Sequence, residues 1–156
     1  MLYDGRDRMG RYYEDLEVGD IFRHWPGRTV TQADNLWFSL LTMGDNPIHI
    51  DRHHSEQTPW GRPLVNSCLT LAIVSGMSVR DISGKGVNLG WDRVRLPAPV
   101  YEGDTLYAET EVLSKRESRS RPGYGIVVVR TRGYKQDGTL VIEFERAVLV
   151  PKRPTS

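Results

Sequence analysis

Length, composition and charge exclude several classes of protein. The chain has 156 residues, with 21 lysine and arginine residues against 20 aspartate and glutamate residues. Such a length is typical of one domain with a single core, and the balanced charge gives no overall field that attracts nucleic acid or an anionic membrane. No run of about 18 apolar residues is present, so no membrane-spanning helix is expected. The polar start of the chain lacks a signal-peptide core, which predicts a cytoplasmic protein.

The N-terminal third predicts an arm, short strands and one helix. Residues 1–19 are predicted to form an irregular arm, and residues 21–25 and 28–30 are extended on either side of a Pro-Gly break. Thr31 and the acidic residue three positions later resemble a capping box. Apolar residues then recur at helical spacing, which predicts a helix from about 32 to 43.

The segment from Gly44 to Asp51 holds an acid, an amide and an imidazole around a proline. The residue before a proline is pushed out of the α region, and proline has no N–H to donate, so the segment is predicted to be a stiff loop. A rigid loop that presents a carboxylate beside an imidazole can position a water and move protons. Asp45 and His49 are therefore the candidate catalytic pair.

An uncharged stretch predicts a buried helix in the middle of the chain. The helix is expected to start at Asn66 or Ser67, both good caps, and no charged residue lies between Leu64 and Val79. A helix of about fifteen residues without a charge is expected to be buried on most sides, wrapped by a sheet. The single cysteine, Cys68, is predicted to be a small buried side chain there, with a reactive thiol as the alternative.

The rest of the chain is predicted to form antiparallel strands. Alternating apolar residues and turn signals indicate extended segments at 87–100, 106–112, 125–134 and 140–150, a hairpin turn at 137–138 and a polar tail at 152–156. The pattern alone supports an α+β fold with a helix inside an antiparallel sheet. Such a sheet leaves an edge strand that needs covering, and pairing in a homodimer would cover it.

Three motifs in this order resemble the MaoC-like dehydratases and R-specific enoyl-CoA hydratases. They are Gly44-Asp45-Asn46-Pro47-Ile48-His49, Pro59-Trp60-Gly61-Arg62-Pro63 and Gly103-Asp104-Thr105. The branch that contains mesaconyl-CoA (2-methylfumaryl-CoA) hydratases is the most similar, through residues 61–67, 88–92 and 115–118. The resemblance covers about residues 12–150 and implies a hot-dog fold, with the chain 1–156 as a single domain. It also implies an acyl-CoA substrate, no cofactor, no metal, and a homodimer or a higher homo-oligomer of dimers.

The resemblance implies a role for each candidate residue. Asp45 and His49 act on a water that adds across the double bond of an enoyl thioester, through a base that activates the water and an acid that protonates Cα. Asn46 orients the loop or the water. Backbone N–H groups at the start of the buried helix, around Asn66 and Ser67, stabilise the enolate-like charge on the thioester oxygen.

The loop departs from the family pattern Asp-x-Asn-Pro-x-His. Three residues separate Asp45 from His49 instead of four, and Gly44 occupies the usual acid position. A one-residue shift can turn a side chain away from its target, and about 1 Å of misplacement costs about a hundredfold in rate. Either the loop compensates, or His49 works with Asp51 or Glu56, or the pair is lost. In the purely structural alternative, Asp45 caps a turn and His49 is a loop histidine with satisfied hydrogen bonds.

Other residues allow more than one interpretation. Three of the four histidines lie within six positions, but the loop offers no helical frame for ligands, so no metal site is expected. The basic run at residues 115–121 is either a solvated strand end or a docking patch for the coenzyme A phosphates. Arg62 is a candidate to bind the distal carboxylate of a dicarboxylic acyl group, with Arg93 as a second. Trp91 is predicted to lie in the core or to line the acyl tunnel.

The sequence therefore favours a lyase that reversibly hydrates a short-chain enoyl-CoA, with mesaconyl-CoA or a similar branched or dicarboxylic acyl-CoA preferred. Two alternatives stay open. A non-catalytic acyl-CoA-binding or partner subunit would keep the fold and lose the catalytic pair, and the shifted Asp45 favours it. A hot-dog acyl-CoA thioesterase would aim its water at the thioester carbonyl instead, and the Asn-Pro-x-His loop argues against it.

Overall fold

The structure is a computed structural model that describes Met1 and residues 4–155. These residues form four α-helices and six β-strands, together with two 3-10 turns, Gly5–Arg8 and Tyr13–Asp15, and a π-helical turn, Val79–Ser83. The helices are α1 (Gln32–Leu41), α2 (Pro47–Ile50), α3 (Arg52–Glu56) and α4 (Ser67–Met77). The strands are β1 (Ile21–Arg23), β2 (Arg28–Thr29), β3 (Val87–Arg95), β4 (Thr105–Glu117), β5 (Tyr124–Lys135) and β6 (Leu140–Pro151). The predicted α+β class is confirmed.

The strands of the described chain form one antiparallel sheet in the order β1-β4-β5-β6-β3, with β2 paired to β4. The long strands β4, β5 and β6 alternate buried and more exposed residues, which gives the sheet an inner and an outer face. The predicted turn connects β5 to β6, and Gly138 has a positive φ of 85° that glycine adopts without strain. β3 is left as an edge strand with Val87, Leu89 and Trp91 exposed.

The inner face of the sheet packs against α4 to form the main core. Leu69 and Val74 of α4 are buried together with Leu106 and Phe144 of the sheet. A Cβ at Gly133 of β5 would lie 2.7 Å from a methyl carbon of Val74, so glycine allows the helix to approach the sheet closely. A second cluster lies towards the other end of the sheet and contains Leu16, Ile82, Val112, Val127, Val129, Val148 and Val150.

The prediction that α4 is buried on most sides is wrong for the described chain. The sheet covers one face of the helix, where Leu69 and Val74 are buried. The other face carries small residues, and Cys68, Ala72 and Gly76 are exposed there. A helix without charged residues has no side chains that require water. Its sequence does not show how many of its sides the sheet covers. Cys68, predicted to be buried, is therefore exposed.

The predicted stiff loop at 44–51 contains a turn of helix. α2 starts at Pro47, where proline is favoured because the first helical N–H needs no partner. The Asn46 side chain caps α2 by accepting a helix N–H at 3.2 Å, and Asp51 caps α3 by accepting the N–H of His54 at 2.9 Å. Proline therefore both prevents α1 from continuing and starts a new helix. None of the helices described is long and apolar enough to cross a bilayer.

The predicted arm packs on the end of the sheet. Leu16 is fully buried in the second cluster. Tyr13 packs against Gly125 of β5, where a Cβ would lie 2.1 Å from the tyrosine ring. Arg153 of the predicted polar tail forms an ion pair with the arm. Residues 2 and 3 of the arm and residue 156 of the tail lie outside the described residues.

Candidate active site

His49 lies on α2 with a defined hydrogen bond on one ring nitrogen. Its Nδ1 is 2.8 Å from the backbone oxygen of Leu64, in the segment before α4. A carbonyl oxygen only accepts hydrogen bonds, so Nδ1 carries the proton and the neutral ring has its lone pair on Nε2. A histidine held in this tautomer can accept a proton at Nε2, as a general base must.

A buried serine fastens α2 to α3. Ser55 is fully buried, and its hydroxyl lies 2.7 Å from the backbone oxygen of Asp51 and 3.1 Å from that of Ile48. The N–H of Leu64 donates to the same oxygen of Ile48 at 3.0 Å. The two short helices and the segment before α4 therefore form one hydrogen-bonded unit around His49.

Asp45 is exposed between α1 and α2. Within residues 4–155 its carboxylate makes no hydrogen bond or ion pair, so the structure does not join it directly to His49. The usual acid position of the family motif, Gly44, faces the start of α4, because a Cβ there would lie 3.1 Å from Nδ2 of Asn66. Asp51, one of the substitutes considered, is occupied as the cap of α3. The one-residue shift thus turns the candidate acid towards solvent.

The start of α4 offers N–H donors beside this unit. Asn66 caps the helix by accepting the N–H of Cys68 at 3.0 Å, and its amide nitrogen donates to Ser39 at 3.2 Å. In the part of the chain that the structure describes, the N–H groups of Ser67 and Leu69 have no partner, as expected for a first helical turn. Ser67 is exposed and therefore presents a donor at the positive end of the helix dipole.

A small polar cavity lies between α3 and the segment before β4. The guanidinium of Arg62 stacks on Tyr101, 3.8 Å from the ring centroid. Arg52 approaches Glu102 at 4.0 Å. The cavity has a volume of about 150 Å³ and is lined by Arg52, Glu56, Arg62, Pro63 and Glu102. The predicted residue Arg62 therefore lies where its guanidinium can meet an anionic part of a ligand.

Two other predicted residues lie away from the loop, on the edge strand β3. Trp91 is 48% exposed, so its assignment to the core is wrong. Arg93 lies on the outer side of the sheet, 3.6 Å from Glu145, and the sheet separates it from α4. The sequence could not show this, because β3 has a register shift between Asp92 and Arg95 and Arg93 has a positive φ of 53°, so the regular alternation of faces is interrupted there.

The basic run at 115–121 lies at the far end of β4 from the candidate site. Lys115 donates to the backbone oxygens of Tyr13 and Leu16 at 3.2 and 2.7 Å, so it holds the arm. With a rise of about 3.3 Å per strand residue, Lys115 is about 33 Å along β4 from Thr105. The structure therefore does not bring this run to the His49 loop of the same chain.

The two histidines of α3 do not form a cluster with His49 in the described chain. His53 lies 2.9 Å from Gln57, and His54 is exposed. The described residues contain no group of three or more histidine, cysteine, aspartate or glutamate side chains arranged to hold a metal ion. The absence of a metal site stays a prediction.

The sequence gives no signal for a buried polar network near the second cluster. His24 is 5% exposed, and its Nδ1 and Nε2 lie 2.7 Å from Asp81 and 2.7 Å from the hydroxyl of Thr110. The Thr110 hydroxyl is also 2.9 Å from that of Thr131. This order of hydroxyl, imidazole and carboxylate resembles a hydrolase triad, but Thr110 is fully buried. The network therefore stabilises the fold.

We expect the protein to lose stability as the pH falls below about 6.5 because of His24. Burial lowers the pKa of His24, against the opposing effect of Asp81. The unfolded chain therefore binds a proton that the folded chain does not, so this stability is complete above the unfolded pKa and is lost as the pH falls towards the folded pKa. Urea denaturation should show a slope of at most about 1.4 kcal/mol per pH unit. His24→Gln should remove this slope and His54→Gln should keep it; an unchanged slope in His24→Gln would contradict the assignment.

One protein family matches nearly the whole chain. The family model described as mesaconyl-CoA hydratase covers residues 3–156. The chain belongs to the mesaconyl-CoA hydratase family. A mesaconyl-CoA hydratase of Cereibacter sphaeroides is 33% identical over 148 residues, which cover 94% of this family member and 43% of the relative. An (R)-specific enoyl-CoA hydratase of Aeromonas caviae is 30% identical over 138 residues, which cover 88% of this chain and 98% of the relative.

The hot-dog fold is confirmed by a solved structure. A Mycobacterium tuberculosis protein described as having a double hot-dog fold matches this family member with a TM-score of 0.79 and 26% identity, over 94% of this chain and 46% of that protein. This family member spans less than half the length of the mesaconyl-CoA hydratases that it matches, 43% for that of C. sphaeroides and 42% for that of Haloarcula marismortui.

Proposed function

We propose that this mesaconyl-CoA hydratase family member catalyses the reversible hydration of a short-chain enoyl-CoA thioester. Mesaconyl-CoA or a similar branched or dicarboxylic acyl-CoA is the proposed substrate. The observation that carries the proposal is the hydrogen bond of His49, whose Nδ1 lies 2.8 Å from the backbone oxygen of Leu64 in the segment before α4, so that Nε2 is left as a base. The names of the two relatives at 33% and 30% identity support the substrate class. The reaction needs no cofactor, because the thioester itself activates the double bond.

The proposed reaction needs two proton transfers and a place for negative charge. His49 accepts a proton from water at Nε2 while the water oxygen bonds to Cβ, and the π electrons move through Cα onto the thioester oxygen. The N–H of Ser67 stabilises that oxygen. Cα then takes a proton from the Asp45 carboxyl group as the carbonyl re-forms and the C–C single bond remains. The proton on His49 passes through solvent to the Asp45 carboxylate, which restores both groups. Asn46 orients the loop, and the reverse steps dehydrate the product.

Arg62 is proposed to bind the distal carboxylate of a dicarboxylic acyl group. A guanidinium matches a carboxylate with two parallel hydrogen bonds. Arg52 lines the same cavity but lies 4.0 Å from Glu102. Arg62 rests on the ring of Tyr101 instead, so its donors are the ones left for a ligand.

We also propose a homodimer, or a higher homo-oligomer of dimers, formed through β3. Edge strands present unpaired backbone groups that pair readily with another chain. The exposed apolar residues on or next to this edge are Val87, Leu89, Trp91, Val94 and Leu96. Trp91 would then lie at the interface, where it can line the acyl tunnel. We also propose that the protein is cytoplasmic.

A non-catalytic acyl-CoA-binding or partner subunit is the second candidate. The observation that favours it is Asp45, which is exposed and has no partner within residues 4–155. Its carboxylate comes one position later than the family acid. In this candidate function His49 only supports α2 through its bond to Leu64.

The test is the loss of enoyl-thioester absorbance with purified protein, comparing mesaconyl-CoA with crotonyl-CoA. We expect turnover, and a decrease of at least about a hundredfold in Asp45→Asn, whereas Asp7→Asn on the exposed arm should keep the wild-type rate. An unchanged rate in Asp45→Asn would remove Asp45 from the mechanism. Binding of CoA thioesters in a calorimeter without turnover would support the binding subunit, and release of free thiol would indicate a thioesterase.

A further inference from the structure

Asn35 of α1 contacts each of the segments that hold His49. It is 0% exposed. Its Nδ2 lies 2.9 Å from the backbone oxygen of Leu64 and 3.1 Å from that of His49. Its Oδ1 accepts the N–H of Asn66 at 2.9 Å. One side chain therefore links α1 to α2, to the segment before α4 and to the cap of α4.

The orientation of the Asn35 amide follows from its partners. Leu64 and His49 present carbonyl oxygens, which only accept, and Asn66 presents an N–H, which only donates. A flipped amide would place an oxygen against two oxygens, so only one orientation satisfies the network. A carboxylate oxygen of Glu102 also lies 3.3 Å from Nδ2. The two amide hydrogens therefore face three acceptors, and none of their hydrogen-bonding capacity is left over.

We propose that Asn35 is a positioning residue for the hydration and acts through His49, a role that rests on the proposed function. The backbone oxygen of Leu64 accepts hydrogen bonds from both Asn35 and Nδ1 of His49. Asn35 holds that oxygen in place, and the oxygen in turn keeps the His49 proton on Nδ1 and the lone pair on Nε2. Because Asn35 also binds the N–H of Asn66, the same amide sets the separation between His49 and the N–H of Ser67.

Asn35→Ala should therefore lower the rate more than it lowers substrate affinity. The substitution leaves the backbone oxygens of Leu64 and His49 and the N–H of Asn66 without their buried partner. The segments then shift, and about 1 Å of misplacement costs about a hundredfold. We expect kcat to fall about 10- to 100-fold and KM to change less than about threefold, because Asn35 does not touch the substrate.

The tautomer of His49 is a direct readout that does not require turnover. In the wild-type protein, ¹⁵N chemical shifts of the neutral ring should show a protonated Nδ1 and a bare Nε2. In Asn35→Ala they should show a mixture of both tautomers. A wild-type protein without turnover would contradict the proposed function, whereas an unchanged tautomer in Asn35→Ala would contradict the role of Asn35.

Thr131→Val is the matched control. Thr131 is fully buried, is hydrogen-bonded to Thr110 at 2.9 Å and lies outside the candidate site. It should lower the thermal midpoint and leave both kcat and the His49 tautomer unchanged. If Asn35→Ala does not fold, Asn35→Ser replaces it with the same expectations. A variant that loses stability as Thr131→Val does, but keeps the wild-type kcat and tautomer, would show that Asn35 is only structural.

Discussion

Replacing His49 by glutamine is expected to lower kcat/KM for enoyl-CoA hydration by about 10²- to 10⁴-fold, the range for loss of a general acid or base. The N–H of Leu64 donates to Ile48 of α2 at 3.0 Å independently of the His49 side chain, so α2 should keep its place. Glutamine places its amide nitrogen where His49 has Nε2, not where it has the Nδ1 that contacts Leu64. It has no basic nitrogen to take a proton from water. A large decrease in kcat with a nearly unchanged KM would therefore report the chemistry and not the fold.

His54→Gln is the matched control for this experiment. It makes the same chemical change on α3, where His54 is exposed. The control should turn over mesaconyl-CoA and crotonyl-CoA at the wild-type rate. Wild-type turnover by His49→Gln would contradict the catalytic role of His49 whatever the fold.

The long elements could be predicted from the sequence because their patterns are periodic. Alternation along β4 to β6 and the turn at Asp137-Gly138 predicted the hairpin, and the capping box at Thr31 predicted the start of α1. The helices α2 and α3 were missed because four and five residues are too few to show a period. Their caps, Asn46 and Asp51, look like ordinary polar residues of a loop.

Exposure was harder to predict than the type of element. Cys68 lies in an apolar stretch and Trp91 is a large apolar residue of a strand, and both are exposed. An apolar pattern indicates that a surface is covered. It does not show whether the same chain or another molecule covers that surface. The edge strand β3 is the surface for which we propose a second copy, and under that proposal the partner copy covers its apolar side chains.

The candidate site could be predicted only where its residues are close in sequence. The loop that carries His49 is a local motif, but the oxygen that sets its tautomer belongs to Leu64, 15 residues later. Asn35 lies 14 residues before His49, and from the sequence alone a polar residue in a helix is expected on the surface. His24 and Asp81 are 57 residues apart. Such contacts arise when segments distant in sequence pack together, which no local pattern encodes.

Phe144→Ala is expected to lower the free energy of unfolding by about 3–5 kcal/mol, the range for truncation of a buried phenylalanine. Phe144 is fully buried on β6 and belongs to the core formed with α4. The substitution leaves a cavity that closely packed neighbours cannot fill. Because a typical domain has only about 5–15 kcal/mol of stability in total, the loss should appear as a large decrease in the urea midpoint with an unchanged m value.

Phe22→Ala is the matched control, because it deletes the same atoms from a half-buried position. Phe22 lies on β1 at the border of the second cluster, with the guanidinium of Arg11 4.7 Å from its ring centroid. Its truncation should cost less than half as much as that of Phe144, since fewer neighbours lose contacts. Equal losses would contradict the explanation that the complete burial of Phe144 in the core with α4 makes its truncation more costly. In the proposed mechanism α4 presents the N–H of Ser67 to the thioester, so Phe144→Ala should also lose hydration rate at urea concentrations below its unfolding midpoint.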